Sequence, residues 1–132
     1  MRIIKRTALD SAMLACCIKP APSHQPVHYK GLVVIKPWGY EFELFDNGKC
    51  SIWLMCMRVG TSTSLHCHQR KDAAFMPLTD GVTFKTLAGS EMLSEYLSVE
   101  KGAFHAQENN SDHDVYFLEY EWPSEKGDLV RA

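Results

Sequence analysis

The chain has 132 residues, 45% of them hydrophobic, and a formal net charge of −2. That is one domain's length with enough apolar content to bury a core unaided, and the small charge excludes a binder of nucleic acid or anionic membrane that works through a basic surface. Five cysteines at irregular spacing, with Cys16 and Cys17 adjacent, do not read as a disulfide framework and suggest a reducing, cytoplasmic setting.

Arg2, Lys5 and Arg6 precede TALDSAMLACC, which imitates an export signal ending in a lipid-anchored cysteine. Asp10 interrupts the apolar run, which is also short for such a signal, so export is not expected. No stretch has the length and apolarity of a bilayer span. Residues 7–18 predict a short helix. Thr7 and Asp10 have capping-box spacing, Leu9, Ala12, Met13 and Cys16 recur at helical intervals, and Lys19-Pro20-Ala21-Pro22 stops it. Ser23 to His28, with Pro26 inside, reads as linker, so 1–29 form an arm and linker.

From Lys30 the texture changes to short segments rich in β-branched and aromatic residues between turn signals. The expected strands are Gly31–Lys36, Tyr40–Phe45, Ser51–Val59, Leu65–His68, Ala74–Leu78, Val82–Leu87, Met92–Val99, Phe104–Gln107 and Val115–Glu121. Turns fall at Asp46-Asn47-Gly48, Asp80-Gly81, Ala88-Gly89-Ser90 and Glu100-Lys101-Gly102. With no helix long enough for a parallel crossover, this is an all-β sandwich or small barrel over 30–123, followed by a tail at 124–132.

Of six histidines, His24 and His28 belong to the linker and His113 to a polar loop. His66 and His68, one residue apart, present both imidazoles on one face of an extended chain. Such pairs also occur on ordinary half-wet strands, but a strand pair plus a distant third imidazole makes a metal site. His105, three residues after Gly102, is the candidate third, and Asp72 is a candidate oxygen ligand because it shares parity with the pair if the strand runs on unbroken. Zinc, iron, manganese or nickel all suit such a set. Cys67 points to the opposite face and reads as buried packing. Met55, Met57, Phe75, Phe84, Phe117 and Trp122 read as barrel filling.

Gly60-Thr-Ser-Thr-Ser-Leu-His66-Cys-His68-Gln-Arg-Lys-Asp72 resembles the first signature motif of the cupin superfamily, and Gly102-Ala-Phe-His105-Ala-Gln-Glu-Asn109 resembles the second. Val33-Val-Ile-Lys-Pro-Trp-Gly-Tyr-Glu41 looks like the cupin domain of type II mannose-6-phosphate isomerases and mannose-1-phosphate guanylyltransferases, although a structural turn accounts for Lys36–Gly39 as well. The resemblance covers residues 31 to 122. It implies a cupin-type jelly roll (a double-stranded β-helix) with a metal inside the barrel, held by His66, His68 and His105 with Asp72 or water. It also implies a homodimer paired through sheets. The pattern departs where Asp72 stands in place of the motif's glutamate, where Ala74 falls at the spacing counted back from Gly81, and where Glu100 replaces the proline of the second motif.

Three functions follow as expectations. The first is a sugar-phosphate isomerase-like enzyme, with Glu43 or Glu95 as base and Lys36, Arg70 or Lys85 receiving the phosphate. The second is oxygen chemistry at a three-histidine iron, as in thiol or diketone dioxygenase-like cupins. The third is a small-molecule binding module without turnover, possibilities that a fold alone does not separate.

Overall fold

A computed structural model describes residues 1–20, 29 and 31–132; the expected linker around His24 and His28 lies outside the described residues. The elements in chain order are β1 (Arg2–Ile4), α1 (Ala8–Cys16), β2 (Val33–Lys36), β3 (Gly39–Asp46), β4 (Ser51–Met57), β5 (His66–Cys67), β6 (Asp72–Pro77), β7 (Val82–Thr86), β8 (Gly89–Met92), β9 (Leu97–Val99), β10 (His105–Asn109), β11 (Val115–Trp122) and β12 (Val130–Arg131). They form a seven-stranded sheet, β1-β9-β6-β11-β4-β3-β2, and a five-stranded sheet, β12-β5-β10-β7-β8. All pairings are antiparallel except β1 with β9. This is the all-β fold that the short alternating strands predict, in the jelly-roll form that the resemblance implies.

Period-two patterning does most of the sorting. On β11, Val115, Phe117, Glu119 and Glu121 face the interior, while Tyr116, Leu118 and Tyr120 face out. Trp53, Met55 and Met57 of β4 and Phe75 of β6 meet Val82 and Phe84 of the small sheet. The centroids of Phe75 and Phe84 are 5.2 Å apart, so one half of the barrel is filled with aromatic and aliphatic side chains. The other half is a cavity.

The Lys36–Gly39 stretch is the β2–β3 hairpin, with Lys36 paired to Gly39. Gly39 has φ +152, and a Cβ there would lie 1.9 Å from the Cys56 carbonyl oxygen. Glycine is therefore dictated by the approach of β4, and the turn carries Trp38 and Pro37 onto the cavity rim.

Both chain ends are woven into the barrel, which therefore extends beyond the 30–123 bounds read from sequence. β1 adds an edge to the large sheet, and β12 pairs with β5. The predicted capping box forms: the Asp10 backbone N–H donates to the Thr7 hydroxyl, and the Thr7 N–H donates to the Asp10 carboxylate at 2.8 Å. Asp10 is buried and also accepts from the Phe104 N–H at 2.8 Å, which ties α1 to the residue before His105. Leu14 of α1 packs with Cys67, Phe104 and Val130, so the helix covers the outer face of the small sheet. Burial pushes the Cys67 thiol up to about 11, in keeping with its reading as packing. All five cysteines are free thiols. No helix among the described residues is long and apolar enough to cross a membrane.

Candidate metal centre

His66 and His105 are directly opposed across β5 and β10, and His68 follows β5 by one residue. The three ring centroids lie 4.6 to 5.2 Å apart, and one ring nitrogen from each falls within 4.8 Å of the others. All three rings are buried. His105 stacks on Phe84 at 5.7 Å with an interplanar angle of 6°, and Phe75 meets it edge-on. The centre thus stands on the aromatic floor of the barrel.

The tautomers are fixed by acceptors. The Nδ1–H of His66 donates to the Ser64 carbonyl at 2.7 Å, that of His68 to the Asp128 carbonyl at 2.6 Å, and that of His105 to the Ala103 carbonyl at 2.9 Å. A carbonyl only accepts, so each Nδ1 carries the hydrogen and each Nε2 presents a lone pair. Nε2 of His68 and of His105 is buried with no hydrogen-bond partner. Three lone pairs converging where no donor reaches them are what a divalent cation neutralises, and backbone carbonyls behind metal-binding imidazoles are the usual outer support. Burial also holds all three histidines below their ordinary range, His105 to about 4, so they stay neutral and ready to ligate. The residues fit the metal that the sequence anticipates.

Asp72 is not brought to the three imidazoles. β5 ends at Cys67, and the chain turns around the buried Asp128 carboxylate, which accepts N–H bonds from Gln69, Arg70 and Lys71. When β6 starts on the opposite sheet the parity has been reset. Lys71, Ala73 and Phe75 are buried, while the Asp72 carboxylate accepts from the Lys101 N–H at 2.9 Å. The expected oxygen ligand fails because the turn breaks the strand.

The cavity beside the centre has a volume of about 660 Å³. Its wall carries charges the sequence reading did not single out: Glu41, Glu119, Glu121, Lys71 and Lys126. Lys71 and Glu121 are nearly inaccessible and pair at 2.9 Å. Lys126 pairs with Glu41 and lies 3.9 Å above the Trp53 ring. Burial and the neighbouring Glu121 charge raise the Glu119 carboxyl to about 8, so it is protonated near neutrality. Burial would also raise Glu121, but Lys71 and Lys126 outweigh it and keep Glu121 ionised. The signal for these acids was present: Glu119 and Glu121 share the parity of Val115 and Phe117, so charges occupy core positions of β11.

The acids expected from sequence lie elsewhere. Glu43 has inward parity, opposite Trp53, but is half-buried and stands off the cavity lining, which Glu41 reaches instead. Glu95 is exposed and lies 3.8 Å from the terminal amine of Met1. Of the expected phosphate receivers, Lys85 pairs with Glu108 at 2.9 Å off the cavity lining, Arg70 with Glu125 at 2.7 Å, and Lys36 with Glu41 at 3.4 Å on the cavity wall.

No protein-family model and no curated protein matches this chain. Among solved structures, the capsular polysaccharide assembling protein CapF from Staphylococcus aureus superposes with a TM-score of 0.62 at 16% identity, over 74% of this chain and 33% of that one. The chain thus spans about a third of the CapF length. The cupin domain of Cnp3 from Schizosaccharomyces pombe gives 0.58 at 13% identity over 63% of each chain. KdgF from Halomonas sp. gives 0.64 at 12% identity, covering 70% of this chain and 84% of that one. At these identities the likeness speaks for the fold, and the fold of this chain is the cupin jelly roll.

Proposed function

We propose that the chain is a metal-dependent cupin acting on a small polyhydroxylated ligand, in the manner of a sugar-phosphate isomerase. The observation that carries this reading is the three unprotonated Nε2 atoms converging beside a cavity whose wall holds a protonated and an ionised glutamate. A divalent metal on the three imidazoles would supply a Lewis acid for a carbonyl and its neighbouring hydroxyl. Glu121 and Glu119 take the roles that Glu43 and Glu95 cannot fill from their positions. Glu121 accepts the proton from the carbon beside the carbonyl and returns it to the adjacent carbon. Glu119 donates to the carbonyl oxygen and is recharged by the neighbouring hydroxyl. The exchange balances without an oxidant or co-reactant.

Protein loaded in turn with zinc, iron, manganese or nickel is expected to interconvert fructose 6-phosphate and mannose 6-phosphate. Glu121→Gln is expected to lower kcat about 100-fold or more at unchanged metal content. Silence from protein of confirmed metal content would falsify the isomerase reading.

One observation favours a second reading. Asp72 is turned away, so the donor set is three neutral imidazoles with no carboxylate, which suits a ferrous centre with oxygen chemistry. Oxygen uptake with Fe(II) and a thiol panel separates the two.

We further propose that two copies pair through the outer face of the large sheet. That face carries Val33, Ile35, Tyr40, Phe42, Ile52, Leu54, Tyr116, Leu118 and Met76, set side by side by strand register, with Asp72 on the same face at the start of β6. Val33 and Ile35 are exposed, and α1 covers only the other sheet. A largely apolar face is complementary to itself across a two-fold axis. Light scattering is expected to give a dimer mass for the native chain and a monomer mass for Ile35→Lys. A native monomer at tens of micromolar defeats the pairing.

A further inference from the structure

Each lysine on the cavity wall is already paired: Lys36 and Lys126 with Glu41, and Lys71 with Glu121. Arg131 also lines the cavity, and among the described residues it is the lining cation with no carboxylate partner. Strand register fixes its place. Arg131 is paired with His66 across β12 and β5, and His66 with His105 across β5 and β10, so the three residues form one row. Directly opposed residues point to the same face, and their side chains are neighbours.

A second unspent donor lies in the neighbouring row, one same-face position along β10 from His105. Gln107 follows His105 by two residues on β10, shares its face and is buried. The Thr63 hydroxyl accepts from the Gln107 backbone N–H at 3.0 Å and donates to the Gln107 side-chain oxygen at 3.3 Å. The structure thus sets the amide oxygen against that hydroxyl and the NH₂ end away from it. Its Nε2 is buried with no partner. A buried amide donor left unsatisfied is destabilising, so its partner is expected in the ligand.

From this juxtaposition we infer that Arg131 and Gln107 flank the three imidazoles as an oxyanion grip, so that the ligand carries a carboxylate or phosphate group. The inference deepens the ligand-binding reading of the same cavity and rests on it. Lys36, Arg70 and Lys85, the receivers expected from sequence, are all engaged by acids; Arg131 is not. A guanidinium takes two oxygens of one anionic group side by side, and the neutral amide donates to a third acceptor without adding charge. The exposed position of Arg131 lets it reach an anion at the mouth of the cavity without first being stripped of water.

The test is calorimetric titration of the zinc-loaded full chain with fructose 6-phosphate, glucuronate and uncharged fructose. One or both anions are expected to bind at least about tenfold tighter than fructose, in the range of a charge-assisted contact, and which of them does so identifies phosphate or carboxylate as the source. Arg131→Gln is expected to remove that preference and leave fructose affinity unchanged, with Arg131→Lys between the two. Added salt is expected to weaken the anions in the native chain and not in Arg131→Gln. Gln107→Leu is expected to weaken the preferred anion severalfold without flattening its salt dependence. Fructose binding as tightly as both anions, no binding by any probe, or an undiminished preference in Arg131→Gln overturns the inference. Anion preference without sugar-phosphate interconversion leaves it standing and removes the isomerase reading. Interconversion at native KM by Arg131→Gln does the reverse.

Discussion

His105→Ala is expected to cut divalent metal in the purified protein from about one equivalent per chain to below about a tenth, since removing one of three protein ligands leaves too few to hold the ion against water. The residue is wholly buried, begins β10, stacks on Phe84 and donates from Nδ1 to Ala103. Its orientation is therefore set before any ion arrives, and among the described residues no other His, Cys, Asp or Glu joins the group. Loss of core packing is a competing explanation, and melting in chelator separates the two. His105→Phe keeps a ring in the site and removes one converging lone pair together with the bond to the Ala103 carbonyl, so it is expected to melt close to metal-free native protein while binding no metal. Native protein is expected to gain about 2.7 kcal/mol at zinc a hundredfold above its dissociation constant, and the Phe variant nothing. Asp72→Ala, whose carboxylate serves the Lys101 N–H, is expected to keep full metal content. Full metal in His105→Phe, or its loss in Asp72→Ala, sinks the three-imidazole centre.

The imidazole triad was legible because its signal is local. Two histidines with one residue between them on a strand share a face whatever the rest of the chain does, and the second motif sets His105 on another strand. Asp72 shares the face of the pair only if the strand runs on, and at Gln69–Lys71 three N–H groups turn inward onto one carboxylate and interrupt it. That carboxylate comes from the far end of the chain, and no local pattern foretells it. Glu119 and Glu121 were hidden differently. VYFLEYEW reads as a strand with two polar residues, and only the parity of Val115 and Phe117 shows that these acids replace core side chains. The joining of β1 and β12 to the sheets had the weakest signal. Strands of three and two residues carry too little alternation to be seen, and long-range pairing alone makes them strands.

Asp128→Ala is expected to cost about 2–4 kcal/mol of stability and, separately, to weaken metal binding about tenfold to a hundredfold. The side chain is fully buried. Its carboxylate accepts the N–H groups of Gln69 at 3.1 Å, Arg70 at 2.7 Å and Lys71 at 3.0 Å, and Arg70 Nη2 lies 3.5 Å away. Alanine would strand three backbone donors in a partly dry turn, a loss several times that of one ordinary hydrogen bond. The effect on metal follows from geometry. The backbone carbonyl of Asp128 accepts from His68 Nδ1, so the residue holds the start of the turn by its side chain and the His68 ring by its main chain. If the side chain lets go, the carbonyl drifts with Gly127 and Leu129, and His68 loses the acceptor that fixes its tautomer. Lys71, which emerges from the same turn to pair with Glu121, loosens with it. Asp128→Asn keeps one accepting oxygen and turns an NH₂ toward N–H groups, so it is expected to lie between native and alanine in both measurements. Denaturant unfolding with and without zinc, run on all three proteins, separates the stability term from the metal term. An alanine variant within about 0.5 kcal/mol of native in both conditions would mean that the turn is held by something other than this carboxylate.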